Sequence, residues 1–256
     1  MLVDVLLDPF GCRWDEVHTA AVTAEQAGFD GVWLYDHLAG SVHGASRVLE
    51  CWTTLTAIAA TVPRLSIGPM VLNVANRDPG TLAVMAATLQ EVSGGRLLLG
   101  LGAGGGRDTP YAVEQLALGR TVASAPVRRR AVEEAVGRIR SVWSGAVGPV
   151  TGFLRPEPPP PIVIGGFGPK MAELAGRVGD GINTPAGPQL PELLRTAREA
   201  RRRSGRDPET LLVTVSARPS RHERQRLADL GADRLVVYVA SPFSRGLAQA
   251  GDALGG

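Results

Sequence analysis

The sequence predicts an α/β chain folded as a (β/α)8 TIM barrel, and three observations carry that expectation. Eight short apolar, β-branched runs recur along the 256 residues. Helical periodicity fills the intervals between them. Several helix-to-strand junctions share one chemistry, a glycine followed within two residues by an aspartate. Near-continuous apolar strands joined by helices indicate a parallel sheet covered on its outer face. Eight such units in about 250 residues favour closure into a barrel over an open doubly wound sheet.

The strand-type runs are 3–7, 31–34, 65–71, 96–101, 162–164, 181–183, 211–215 and 235–239. Between the third and fourth, Leu82, Met85, Ala86, Leu89 and Val92 repeat at helical spacing. The segment 127–143 does the same with Val132, Ala135, Val136, Ile139 and Val142. Pro169 opens a helix through Met171, Leu174, Ala175 and Val178, at a position where its missing N–H costs nothing. Ser220 and Glu223 read as a capping box ahead of Leu227 and Leu230. At Gly28-Phe29-Asp30, Gly179-Asp180, Gly231-Ala232-Asp233 and Gly94-Gly95, glycine is expected in the left-handed conformation that ends a helix. The proline run at 156–161 reads as a stiff lead-in to the strand at Ile162 rather than a linker, which gives a single domain over 1–256. The Gly- and Ala-rich stretch 241–256 predicts a weak final helix.

Hydrophobic content of 44% with 20% charged residues is that of an ordinary globular chain. A net charge of +2 and few aromatic residues give no reason to expect nucleic acid as a partner. The run Arg201-Arg202-Arg203 reads as a solvated helix face. Cys12 and Cys51 are far apart and lack metal spacing, so they read as free thiols in a reducing compartment. The chain starts Met1-Leu2-Val3 without a basic leader, and no apolar run approaches 18 residues. A cytoplasmic protein without a membrane segment is expected.

In a barrel the active site lies on the loops after the strands. Those loops hold Asp8, Pro9 and Phe10; then Tyr35, Asp36, His37, Ser41 and His43; then Asn73. Further on come 102–108, Asn183 and Thr184, and Ser216 and Arg218. His37 is the titratable group of most interest, because histidine is the side-chain type that titrates near neutral pH without help, and Asp36 stands beside it. The run from Ile162 through Gly165-Gly166-Phe167-Gly168-Pro169-Lys170 takes an apolar strand into a glycine loop and then a helix start. Bare amides at a helix N-terminus bind phosphate, although the same pattern also serves as a tight turn. The spacing is neither the Walker nor the GxGxxG pattern. Gly100 to Gly106 forms a second open loop, with Gly102 and Gly104 cleared for a flat ligand. Two such loops on neighbouring strands suggest a large, planar, phosphate-bearing cofactor. A metal site from Asp36, His37, His43 and Glu50 is disfavoured, since the first strand reads Val3-Asp4-Val5 and carries no HxH pair. No GxSxG elbow and no cysteine at a glycine-rich helix start point to a nucleophile.

Four segments together resemble the bacterial luciferase-like family, in the branch that uses coenzyme F420. The segment 24–33, Ala-Glu-Gln-Ala-Gly-Phe-Asp-Gly-Val-Trp, leads to Asp36-His37. The segment 49–55, Leu-Glu-Cys-Trp-Thr-Thr-Leu, is followed by 57–61 and by Leu65-Ser66-Ile67-Gly68. Ala86-Ala87-Thr88-Leu89 with Ser93-Gly94-Gly95-Arg96 runs into 99–104. Pro160 to Gly166 is followed by Gly168-Pro169-Lys170 and Gly179-Asp180-Gly181.

The resemblance implies a barrel holding a flavin or deazaflavin at its mouth. It implies that His37 approaches the reactive ring and that Asp36 lines the same pocket. It further implies a non-proline cis peptide at Met70-Val71 behind the ring and a contact from Asn73. Gly165, Gly166, Phe167, Gly168 and Lys170 would hold the phosphate. The implied activity is F420-dependent hydride transfer to or from a small organic substrate, by a homodimer. The alternatives are an FMN-dependent monooxygenase, a non-catalytic flavin or F420 carrier and, more remotely, a metal-dependent barrel hydrolase. Relatives acting on sugar phosphates carry a Trp and a Glu where this chain has Ser41 and Gly105, and the loop at 217–220 is short.

Overall fold

A computed structural model describes residues 1–255. Its strands are β1 (Leu2–Leu7), β2 (Gly31–Leu34), β3 (Ser66–Pro69), β4 (Leu72–Asn73), β5 (Leu99–Gly102), β6 (Ile162–Gly165), β7 (Gly181–Pro185), β8 (Leu212–Ser216) and β9 (Arg234–Val239). They form one sheet in the order β3-β2-β1-β9-β8-β7-β6-β5-β4, and every pairing in it is parallel. A bridge between Ile67 and Leu97 joins the two ends and closes the ring. The third expected strand, 65–71, is divided into β3 and β4 at the cis peptide Met70-Val71, so nine strands make eight staves.

The fourth strand begins at Leu99 rather than Arg96. Arg96 turns outward instead, its guanidinium donating to the carbonyls of Ala59, Val62, Leu65 and Ser93. That fan of bonds ties the end of one helix to the start of the next strand.

The helices are α1 (Trp14–Gln26), α2 (Cys51–Thr61), α3 (Pro79–Val92), α4 (Ala112–Ala117), α5 (Ala125–Ser144), α6 (Pro169–Val178), α7 (Leu190–Arg203), α8 (Arg221–Asp229) and α9 (Phe243–Leu254). The N-termini of α3 and α8 are closed locally by a polar side chain. Asp78 accepts from the Thr81 amide at 2.8 Å, and Ser220 accepts from the Glu223 amide at 3.0 Å. The capping box at Ser220 is only half made, because the Glu223 carboxylate pairs with Arg226 instead.

Gly28 and Gly231 take the expected left-handed conformation, with φ of 81° and 77°. Gly179 does not: its φ is −82°, and glycine is needed there because a Cβ would lie 2.8 Å from the Ala175 carbonyl oxygen. The aspartates do more than cover turns. Asp30, Asp180 and Asp233 each accept an amide at the start of a neighbouring strand, at Val3, Ile162 and Val213, over 2.7–3.0 Å. Each carboxylate thereby replaces the ladder bond that a strand end lacks.

The basic run is not uniformly solvated. Arg202 and Arg203 are exposed, but Arg201 is buried and donates to the Gly179 and Asp207 carbonyls at 2.9 Å. Its planar fork reaches both carbonyls at once, beside the bonds that Arg206 and Thr210 make to them.

The main core lies between the ring and its helices. Inside the ring, Leu6, Trp33, Met70, Leu98 and Val236 form a second, smaller cluster. Beneath it Asp4 is fully buried, paired with Arg234 at 2.6 and 2.7 Å and accepting from the Trp33 indole at 2.8 Å. Burial raises the Asp4 carboxyl above its ordinary range, and the lowering by Arg234 and Trp33 does not overcome it. Breaking a buried pair leaves an uncompensated charge. Arg234→Leu should therefore cost about 3–5 kcal/mol in urea unfolding; a loss below about 1 kcal/mol would contradict this account of the pair.

Candidate functional site

At the C-terminal ends of the strands the ring opens into a cavity of about 1610 Å³, floored by Leu6, Met70 and Val236. This exceeds the roughly 300–1,000 Å³ typical of a drug-sized ligand. All twelve residues singled out from the sequence line it: Asp36, His37, Met70, Val71, Asn73, Gly102, Gly104, Gly165, Gly166, Phe167, Gly168 and Lys170.

One wall is set by Val71. A Cβ at Gly102 would overlap its side chain, and one at Gly165 would stand 2.8 Å from both its methyls. The two bare strand ends on β5 and β6 let Val71 reach inward between them. Gly104, at φ 65°, lies directly beneath the Asn73 amide. Gly105 has no room for a side chain, since a Cβ there would meet Thr109 Oγ1 at 2.5 Å and Tyr111 Cβ at 2.8 Å.

Asp36 lines the cavity, but its carboxylate is spoken for. It accepts from the Asn73 amide at 2.9 Å, Asn76 Nδ2 at 3.1 Å, and Arg77 at 2.9 and 3.0 Å, with no exposure of its side chain. Arg77 also pairs with Glu50. Burial alone would raise the Glu50 carboxyl, but the Thr53 and Trp52 amides together with Arg77 hold it below its ordinary range. Asp36 therefore anchors the loop after β4 through both of its carboxylate oxygens. Among the described residues no cluster of three or more His, Cys, Asp or Glu is gathered.

His37 is differently placed. Its Nδ1 lies 3.2 and 3.3 Å from the carboxylate oxygens of Glu114, a buried residue of α4. The same carboxylate accepts the Leu38 and Ala39 amides at 3.0 and 3.1 Å. The neighbouring Gln115 donates to Asn76 at 2.6 Å, so one short helix grips both loops that flank the cavity. Around His37 stand Phe10, Tyr35, His43 and Tyr111, with ring centroids 4.9–6.2 Å from it. Burial and the nearby Asp8 carboxylate push the Tyr35 hydroxyl up to about 12. Tyr238 donates to Asp8 at 2.5 Å, and burial followed by that bond raises its hydroxyl still further. Ser41 is exposed and does not reach the cavity.

The helix start at α6 is less open than its glycines suggest. The Gly166 amide donates to the Asn183 carbonyl at 3.1 Å, and a Cβ at Gly166 would overlap Met171. The Phe167, Gly168 and Lys170 amides make no bond to other described residues. No side chain caps this helix, and Phe167 is 80% exposed at the rim. Opposite it, Ala125, Arg128 and Arg129 bring the uncapped N-terminus of α5 to the cavity, and Arg218 lies on the short loop after β8. Two helix N-termini and several cations thus face one space that suits an anion.

The profile of the luciferase-like monooxygenase family matches residues 7–252. The chain belongs to that family. It is 34% identical over 224 residues to an F420-dependent glucose-6-phosphate dehydrogenase of Microbacterium testaceum, covering 80% of this chain and 65% of that protein. It is 32% identical over 221 residues to an F420-dependent hydroxymycolic acid dehydrogenase of Mycobacterium tuberculosis, covering 82% and 60%. Among solved structures, an F420-dependent secondary alcohol dehydrogenase in complex with an F420-acetone adduct superposes with a TM-score of 0.84 at 20% identity, over 98% of this chain and 97% of that one. The chain spans about half to two thirds of the length of the first curated relatives it matches.

Sequence reasoning passed over Glu114, Arg77, Asn76, Tyr111 and Arg128. For Glu114 the signal was a carboxylate in a short helix that carries no other charge. For Arg77 no local pattern marks its partner 41 residues away.

The contact of Val71 with Gly165 is testable as a coupled pair. Gly165→Ala should destabilise by about 1–3 kcal/mol through overpacking. Combined with Val71→Ala it should recover, with a coupling near 1 kcal/mol in denaturant unfolding; strictly additive losses would contradict the contact.

Proposed function

We propose that this protein is an F420-dependent oxidoreductase that transfers a hydride between the deazaflavin and a small organic substrate. One observation carries the reading: His37 and the glycine-walled, cation-rimmed slot share a single cavity. The named dehydrogenases among its relatives support the choice of cofactor. Bound there, F420 would supply a two-electron hydride carrier, and the protein would supply orientation and proton handling.

The residues fit such a group. The bare strand ends at Gly102 and Gly165 and the close-packed Gly104 leave space for a flat ring against Val71. The open amides at Phe167, Gly168 and Lys170, with the Lys170 ammonium, would hold a phosphate. Asn73 would contact the ring or its tail, and Met70 would back it. Asp36 keeps the β4 loop in place. His37 would take or give the proton that accompanies hydride transfer, a role worth about 10²–10⁴-fold in rate.

We also infer a cytoplasmic homodimer acting on a small molecule. The family resemblance supports it. Among the described residues no helix is long and apolar enough to cross a membrane.

Two measurements check the reading. With F420 and a panel of alcohols, oxidised deazaflavin absorbance should fall without oxygen uptake, and His37→Asn should slow this by about 10²-fold or more. Oxygen consumption with reduced FMN would instead establish the monooxygenase alternative. Lys170→Glu, an exposed position, should weaken F420 binding at least about tenfold, or 1.4 kcal/mol; unchanged affinity would remove Lys170 from the phosphate site.

A further inference from the structure

We propose that Glu114 is the positioning residue for His37, fixing the imidazole as the tautomer whose Nε2 is bare and faces the cavity. The proposal rests on the proton-carrying role read for His37 above. Three observations support it independently of any cofactor.

The first is the donor count. A carboxylate accepts and does not donate, so each group facing Glu114 must be a donor. Leu38 and Ala39 supply their amides at 3.0 and 3.1 Å. The third facing group is His37 Nδ1, at 3.2 Å from one oxygen and 3.3 Å from the other. Nδ1 must carry the hydrogen. In neutral histidine the other nitrogen is then an acceptor, and His37 Nε2 makes no bond to other described residues.

The second is rigidity. The Glu114 side chain is 4% exposed and that of His37 17%. The two amide bonds hold the carboxylate against the backbone that carries the ring, so the imidazole and its partner move as one unit. Gln115 extends the grip to Asn76 and through it to Asp36. A second-layer carboxylate that orients an imidazole is an established way of setting which nitrogen does the chemistry.

The third is substitution by position. Gly105 cannot carry a carboxylate without displacing Thr109 and Tyr111. The chain instead presents its carboxylate from α4, behind the ring. There it touches His37 from within the wall of the same cavity. A proton arriving at Nε2 would leave the Nδ1–H bond to Glu114 intact, with the imidazolium facing an opposite charge.

The test uses the full chain with ¹⁵N-labelled histidine, read by long-range proton–nitrogen correlation at a pH where the rings are neutral. His37→Asn assigns the His37 signals among the four histidines. Wild type should show His37 as the Nδ1–H tautomer. Glu114→Met, similar in size but unable to accept, should shift it to the Nε2–H form. Glu114→Gln keeps one oxygen for the same donors and should retain Nδ1–H. An Nε2–H tautomer in wild type would overturn the proposal without Glu114→Met needing to fold, and so would an unchanged tautomer in a folded Glu114→Met. Because no cofactor is added, this outcome is separate from the fate of the F420 reading. In the active enzyme, Glu114→Met should lower kcat about 10²-fold with F420 affinity within about twofold, and should add little on top of His37→Asn. Additive losses in the double variant would mean that Glu114 acts on the fold rather than through His37.

Discussion

The placement of Val71 is the constraint on which the cavity depends. Its side chain reaches inward between two strand ends that carry no Cβ, Gly102 on β5 and Gly165 on β6. Larger residues at either place would push it back and break the wall. The strand that bears it is interrupted immediately before, so β3 bonds to β2 and β4 to β5. The ring is thereby closed low, at Ile67 and Leu97, and left open at the top. Packing that seals the barrel beneath Met70 is continuous with packing that shapes the site above it.

The carboxylates of this region are divided between architecture and chemistry. Asp36 accepts from Arg77, Asn76 and the Asn73 amide, and Glu50 accepts from the Trp52 and Thr53 amides and the same arginine. Asp8 accepts from Tyr238. Glu114 faces the Nδ1 of His37, whose ring lines the cavity. Asp36 is buried against a guanidinium and two further donors, so its charge is paired where it stands beside the site. Adjacency in sequence misleads here: Asp36 and His37 are neighbours in the chain with separate partners.

Much of the barrel was legible because parallel strands buried on both faces read as apolar runs, and because glycine and aspartate mark the junctions. The break at Met70-Val71 was read only from the resemblance, since nothing in the apolar run 65–71 marks it. Strand ends were misjudged where a side chain took over from the ladder, as at Arg96, and the basic run was misjudged where Arg201 turned inward to carbonyls. The residues that line the cavity were found because barrel geometry places them after strands. Glu114 was not. Its partner is 77 positions away, and no periodicity or spacing records a contact made between a loop and a short helix. Likewise Gly166 reads as an open amide, yet its hydrogen bond to Asn183 is fixed by strand pairing that only the fold reveals.

The central claim is that this cavity is built for the deazaflavin of F420. Titration of the purified protein with F420 and, separately, with FMN, followed by cofactor fluorescence, addresses it most directly. The account predicts saturable binding of F420 that an excess of FMN does not displace. Preferential binding of FMN, or binding of neither, would contradict it.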